Sequence, residues 1–136
     1  MPAIVGVVET CVYADDLENA ERFYGECLGL TLAAREPGRH VFFQVGDRNM
    51  LLVFRAEASR RGDSLPPHGA TGSTHLALGI AAEDLEAWRN HLQRHGVQIE
   101  QQQEWRGGGR SLYFRDPAGN LVELITPCVW GLPSGW

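Results

Sequence analysis

Three ionisable residues stand inside otherwise apolar stretches: Glu9 in residues 7–14, His75 in residues 74–80 and Glu123 in residues 120–126. Two carboxylates and one imidazole make a donor set suited to a divalent ion such as Mn²⁺, Fe²⁺, Ni²⁺ or Zn²⁺. Their spacings of 66 and 48 residues form no local chelate, so the chemistry depends on a fold that gathers them. Each residue also has a plainer reading. A mid-strand carboxylate can face water on a half-exposed sheet, and a lone strand histidine can be structural.

The elements that must position them follow a repeated order. Residues 7–14 are β-branched and aromatic, which predicts a strand. Asp15 or Asp16 can cap a helix carrying Leu17, Ala20, Phe23, Tyr24, Cys27 and Leu28 at helical spacing, with Gly29 as its stop. Strands are expected at residues 30–35, 40–45 and 50–55, with turns at Gly38 and Gly46-Asp47. A polar stretch with Pro66-Pro67 follows. The order then recurs: a strand at 74–80, a helix at 83–95 stopped by Gly96, and strands at 97–103, 111–115 and 120–126. Asp16-Leu17-Glu18 aligns with Asp84-Leu85-Glu86, and Arg48-Asn49-Met50 with Gly119-Asn120-Leu121. This predicts an α+β fold of two tandem βαβββ modules, a duplication that builds a curved mixed sheet around a cavity. Residues 1–136 form one domain, with modules at about 4–56 and 73–127 and a linker at 57–72.

Side-chain parity gives the first functional clue. Alternate strand residues face the helix or turn away from it. Leu76, Leu78 and Ile80 make the helix face of their strand, and so do Val122 and Leu124 of the last one. His75, Glu123 and, by the same count, Glu9 all fall on the face away from the helices. Ala77 and Gly79 leave space beside the imidazole.

Composition bounds the partners. The chain has 136 residues, 43% apolar and 21% charged, with a formal net charge of −5. That acidic balance argues against nucleic acid and against an anionic membrane surface, and no run approaches a membrane span. Residues 1–16 lack a basic leader segment. Cys11, Cys27 and Cys128 are an odd count with no CxxC pair, so neither a disulfide framework nor a thiolate zinc site is indicated. A cytoplasmic enzyme or binder of a small molecule is the expectation.

Longer motifs sharpen this. Glu9-Thr-Cys-Val-Tyr-Ala-Asp-Asp-Leu-Glu-Asn-Ala-Glu-Arg-Phe-Tyr24, Ser73-Thr-His-Leu-Ala-Leu78 and Arg110-Ser-Leu-Tyr-Phe-Arg-Asp-Pro-Ala-Gly-Asn-Leu-Val-Glu-Leu124 resemble the vicinal oxygen chelate superfamily. That group holds glyoxalase I, fosfomycin-resistance thiol transferases, extradiol dioxygenases and bleomycin-resistance proteins. The resemblance implies paired modules around a metal site and a homodimer in which a partner chain often completes the site. It places the metal ligands at Glu9, His75 and Glu123. It implies an ion that binds adjacent oxygens of a small substrate, in lyase, transferase or dioxygenase chemistry.

Departures from the family pattern are informative. Leu52 occupies the position where glyoxalase I has a carboxylate. An aliphatic side chain neither ligates nor titrates, which argues against the glyoxalase I reaction. Glu9 stands where many members have histidine; with two carboxylates the ion's charge is neutralised, so an anionic substrate would need a guanidinium such as Arg110, reached through the flexible Gly107-Gly108-Gly109 approach. Ser111 and Tyr113 match the thiol-transferase subgroup and join Arg110 as catalytic candidates. Cys11, Leu52, Phe54, Trp105 and Tyr113 are the expected pocket lining, with Phe42 beside them. The competing reading is a metal-free drug-binding protein of the bleomycin-resistance kind.

Overall fold

A computed structural model describes residues 1–62 and 65–136. The chain divides into two compact units, Met1–Gly72 and Ser73–Trp136, and each builds its own four-stranded mixed sheet.

In the first unit, β1 (Glu9–Tyr13) runs into a helix whose cap is Asp16, its carboxylate accepting from the Asn19 N–H at 2.9 Å. The helix begins as α1 (Leu17–Glu21) and widens into a π-helical stretch at Arg22–Cys27. Phe23, Tyr24 and Cys27 of this stretch are buried in the core. Gly29 then takes the left-handed conformation, φ 71°, that ends the element. Strands β2 (Thr31–Glu36), β3 (His40–Val45) and β4 (Asn49–Phe54) complete a sheet ordered β1-β4-β3-β2, with β1 and β4 parallel. Val12, Val41, Phe43, Leu51 and Val53 are buried on one face. Register places Glu9 beside Met50, Cys11 beside Leu52 and Tyr13 beside Phe54 on the other.

Part of the stretch read as a linker is structured. Helix α2 (Ala56–Arg61) follows β4 directly, and its Ala56, Ala58 and Ser59 are buried. Its polar composition concealed a one-sided burial pattern made of small residues. Residues 63 and 64 of that stretch lie outside the described residues.

The second unit repeats the plan: β5 (His75–Gly79), a 3₁₀ turn at Ala82–Asp84, α3 (Leu85–Arg94), β6 (Ile99–Glu104), β7 (Arg110–Arg115) and β8 (Leu121–Ile125), in the order β5-β8-β7-β6. Leu76, Leu112, Phe114, Val122 and Leu124 are buried on one face. The repetition extends to irregularities, since β2 and β6 each carry a register shift near their start, between Leu32 and Ala34 and between Ile99 and Gln101.

One polar network fixes the second unit's key strands. Asp116 Oδ1 accepts from the N–H groups of Ala118 and Asn120, both at 2.9 Å, and Asn120 Nδ2 donates to Asp116 Oδ2 at 2.8 Å. Asn120 Oδ1 accepts from the Thr74 hydroxyl at 2.8 Å and from its N–H at 3.2 Å. Asp116 and Asn120 are both buried. Replacing Asn120 with Ala removes its bonds to Asp116 Oδ2 and to the Thr74 hydroxyl and N–H from a buried network. Such a loss costs about 2–3 kcal/mol, expected as a lower urea midpoint with an unchanged m-value.

Candidate metal centre

The face of the second sheet away from α3 carries the candidate ligands His75 and Glu123. Register aligns Ala77, Glu123, Tyr113 and Gln101 across β5, β8, β7 and β6, with Gly79, Ile125, Ser111 and Gln103 in the next row. Glu123 is 5% exposed, an expensive place for a carboxylate without partners. His75 Nε2 stands 3.3 Å from Glu123 Oε2.

The imidazole's orientation is set from behind. His75 Nδ1 lies 3.0 Å from the Leu121 carbonyl, and a carbonyl only accepts, so Nδ1 carries the proton. In the neutral ring Nε2 then presents a bare lone pair to a carboxylate oxygen. Glu123 Oε1 is buried and has no hydrogen-bond partner among the described residues. Two donor atoms bound to one ion at about 2.1 Å, with an angle between square and tetrahedral, sit about 3.0–3.4 Å apart. The pair therefore fits a divalent cation, and the carbonyl behind the imidazole is the usual device for fixing a ligating tautomer.

Of the other expected residues, Ser111 and Tyr113 share this face of β7, whereas Arg110 alternates onto the side of Leu112 and Phe114. The Tyr113 hydroxyl reaches Glu123, and its ring lies 6.3 Å from that of His75. Burial pushes the Tyr113 phenol above its ordinary range; the hydrogen bond and charge of Glu123 add to this, and Ser111 opposes it. Trp105 Nε1 donates to the Ser111 hydroxyl at 2.9 Å, which ties two of the expected residues to each other. Arg110 is held at its backbone: its N–H donates to Thr126 Oγ1 at 2.8 Å, and its carbonyl accepts from the Thr126 N–H at 3.0 Å. The approach to Arg110 is thus anchored rather than loose, through a buried threonine that parity alone does not single out.

Glu9 belongs to the first unit, where it opens β1 as His75 opens β5. Both are the first residue of a five-residue strand paired in parallel with the last strand of its module. By the same equivalence Leu52, paired with Cys11, stands where the second module has Glu123, paired with Ala77. Leu52 is buried on that face. Burial and then the Glu9 charge push the Cys11 thiol up, so Cys11 stays protonated at neutral pH. Phe54 sits in a ring cluster the sequence did not reveal as such. It meets Phe42 at 5.1 Å and His68 at 4.6 Å, while His40 stacks on Phe42 at 3.9 Å and 10°. His68 Nδ1 pairs with the Tyr13 hydroxyl at 2.8 Å. His68 is remote in sequence from these strands, and no local pattern points to it.

Comparison with known proteins defines the class. Residues 6–124 match the Glyoxalase/Bleomycin resistance protein/Dioxygenase superfamily, and the chain belongs to that family. It is 35% identical over 109 residues to glutathione transferase FosA of Serratia marcescens, covering 80% of this chain and 72% of the relative. Metallothiol transferase FosB of Bacillus licheniformis is 40% identical over 58 residues, a match spanning 42% of this chain and 38% of the relative. A crystal structure of lactoylglutathione lyase from Agrobacterium tumefaciens superposes with a TM-score of 0.91 at 36% identity, covering 96% of this chain and all of that one. No described helix is long and apolar enough to cross a membrane.

The His40 ring yields a pH prediction. Burial lowers its pKa, with Glu36 opposing and Arg39 assisting. The unfolded chain binds the proton more readily, so this contribution to stability is present above the unfolded value of about 6.5 and is lost as pH falls through it. His40→Gln is expected to flatten the fall in urea midpoint between pH 7.5 and 5.5.

Proposed function

We propose that the chain is a metal-dependent enzyme that holds one divalent ion on Glu9, His75 and Glu123 and transfers a thiol such as glutathione to a small oxygen-bearing substrate. The observation that carries the proposal is the buried, unpartnered Glu123 Oε1 beside a histidine whose Nε2 faces the same carboxylate. When bound, the ion supplies Lewis-acid polarisation of substrate oxygens. The residues supply the rest. The raised pKa of Tyr113 keeps its phenolic proton in place at neutral pH, available to an oxygen that gains charge. Ser111, held by Trp105, positions a polar substrate atom.

Group transfer is favoured over the lyase reaction by Leu52, since no carboxylate stands there to move a proton between carbons. The thiol is supported by relatives named as a glutathione transferase and a lactoylglutathione lyase. Cys11, Leu52, Phe54, Trp105 and Tyr113 would line the substrate pocket. A homodimer in the cytoplasm completes the reading. The exposed positions His75 and Ala77 on the site face of β5 support the dimer.

Elemental analysis of untagged protein tests the centre. About one ion per chain is expected, lost in His75→Ala and Glu123→Gln and reduced in affinity by 10-fold or more, as an order of magnitude, in Glu9→Gln. No metal as isolated, and none bound after adding Mn²⁺, Fe²⁺, Ni²⁺ or Zn²⁺, overturns the proposal in favour of a metal-free binding protein.

A further inference from the structure

We propose that Trp136, the last residue of the sequence, is a specificity-determining wall of the substrate site, seated where strand β5 has no side chain of its own. The proposal rests on the reading of His75 and Glu123 as metal ligands.

Three glycines carry the argument. A Cβ on Gly79 would fall inside the Trp136 indole, against Cη2 and Cζ2. A Cβ on Gly107 would collide with the Cys128 carbonyl oxygen, and one on Gly109 with Val129 Cγ2 and with the Pro127 carbonyl oxygen at 2.7 Å. Of these three glycines none has a positive φ, so backbone freedom does not explain them. Each instead makes room for residues 127–136. That segment folds back on itself: Cys128 N–H donates to the Gly135 carbonyl at 2.7 Å, Leu132 N–H to the Trp136 carbonyl at 2.6 Å, and Gly135 N–H to the Leu132 carbonyl at 2.9 Å. Cys128 adopts φ 74° within it, a conformation that costs a non-glycine residue energy and that the surrounding contacts must hold.

The seat lies on the chemical face. Side chains at 75, 77 and 79 point to the same side of β5, so the indole that replaces a Gly79 side chain shares a face with His75. Gly79 pairs with Ile125 and Ser111, one row beyond Ala77, Glu123 and Tyr113. One such row is about 7 Å along the strand. The space left by Gly79 is therefore filled, while that above Ala77 remains. Trp136 is half-buried, whereas Trp130 and Leu132 of the same tail are exposed at 73% and 53%. Its indole ends the site a row from the Glu123 carboxylate and limits how far a substrate held there can extend toward the end of β5.

Hydroxamates bind a metal through adjacent oxygens and differ only in their tails, so they serve as probes. The Mn²⁺-loaded protein is titrated with acetohydroxamate and 2-naphthohydroxamate by calorimetry. Trp136→Ala is expected to raise the affinity for naphthohydroxamate relative to acetohydroxamate by about 10-fold or more. Metal content should stay unchanged, and Trp136→Phe should stay near the wild-type ratio. A ratio in Trp136→Ala within 2-fold of wild type, with metal and acetohydroxamate still bound, overturns the wall and leaves the metal centre standing. Failure of the wild type to bind metal or acetohydroxamate overturns the metal centre, and the wall with it.

Discussion

The site depends on a clamp between segments far apart in sequence. Strands β5 and β8 run parallel, and a parallel pair has no hairpin turn to set its register. A slip of one residue would move Glu123 from the chemical face into the helix-covered core. Asn120 prevents it. Its side chain closes the β7–β8 turn through Asp116 and at the same time holds Thr74, the residue before His75. The Leu121 N–H donates to the Thr74 carbonyl at 2.8 Å, and the Leu121 carbonyl then receives the imidazole. One amide thus sets the register that places Glu123 Oε2 within 3.3 Å of His75.

The first module carries a weaker version of the same clamp. Asn49, the counterpart of Asn120, donates from Nδ2 to the Val7 carbonyl at 2.6 Å, and Met50 N–H donates to the Val8 carbonyl at 2.8 Å. Here the amide is exposed and has no aspartate behind it. Register must be held more strictly in the second module because the second module buries a charge. Misplacing Leu52 would exchange one apolar contact for another, whereas misplacing Glu123 would bury a carboxylate among Val122, Leu124 and Phe114.

What could be read from the sequence follows from period and chemistry. The two-residue alternation in 74–80 and 120–126 fixed which side chains share a face, because a strand has only two faces. The helix stops at Gly29 and Gly96 were legible for the same local reason, and both residues have φ near 70°. The Asp116–Asn120 turn was legible as a family motif. Its part in fixing His75 was not, since the Thr74 contact spans 46 residues. The π-helical pitch at Arg22–Cys27 and the burial of α2 also escaped, because tertiary packing decides both. Trp136 is the extreme case. Nothing in residues 127–136 names its target, and Gly79 reads only as a small residue with room beside it.

The three closed glycines suggest why the hairpin and the tail were built together. Gly107 and Gly109 receive the backbone of residues 127–128 and the Val129 side chain, and Arg110 follows immediately, pinned on both sides by Thr126. The strand that supplies Glu123 leads through Thr126 directly into the segment that supplies Trp136. A displacement of the tail therefore reaches the guanidinium, the carboxylate and the indole through a few covalent bonds and two short hydrogen bonds. The anchoring of Arg110 and the seat of Trp136 are mechanically coupled, because the backbone running on from Glu123 through Thr126 carries both.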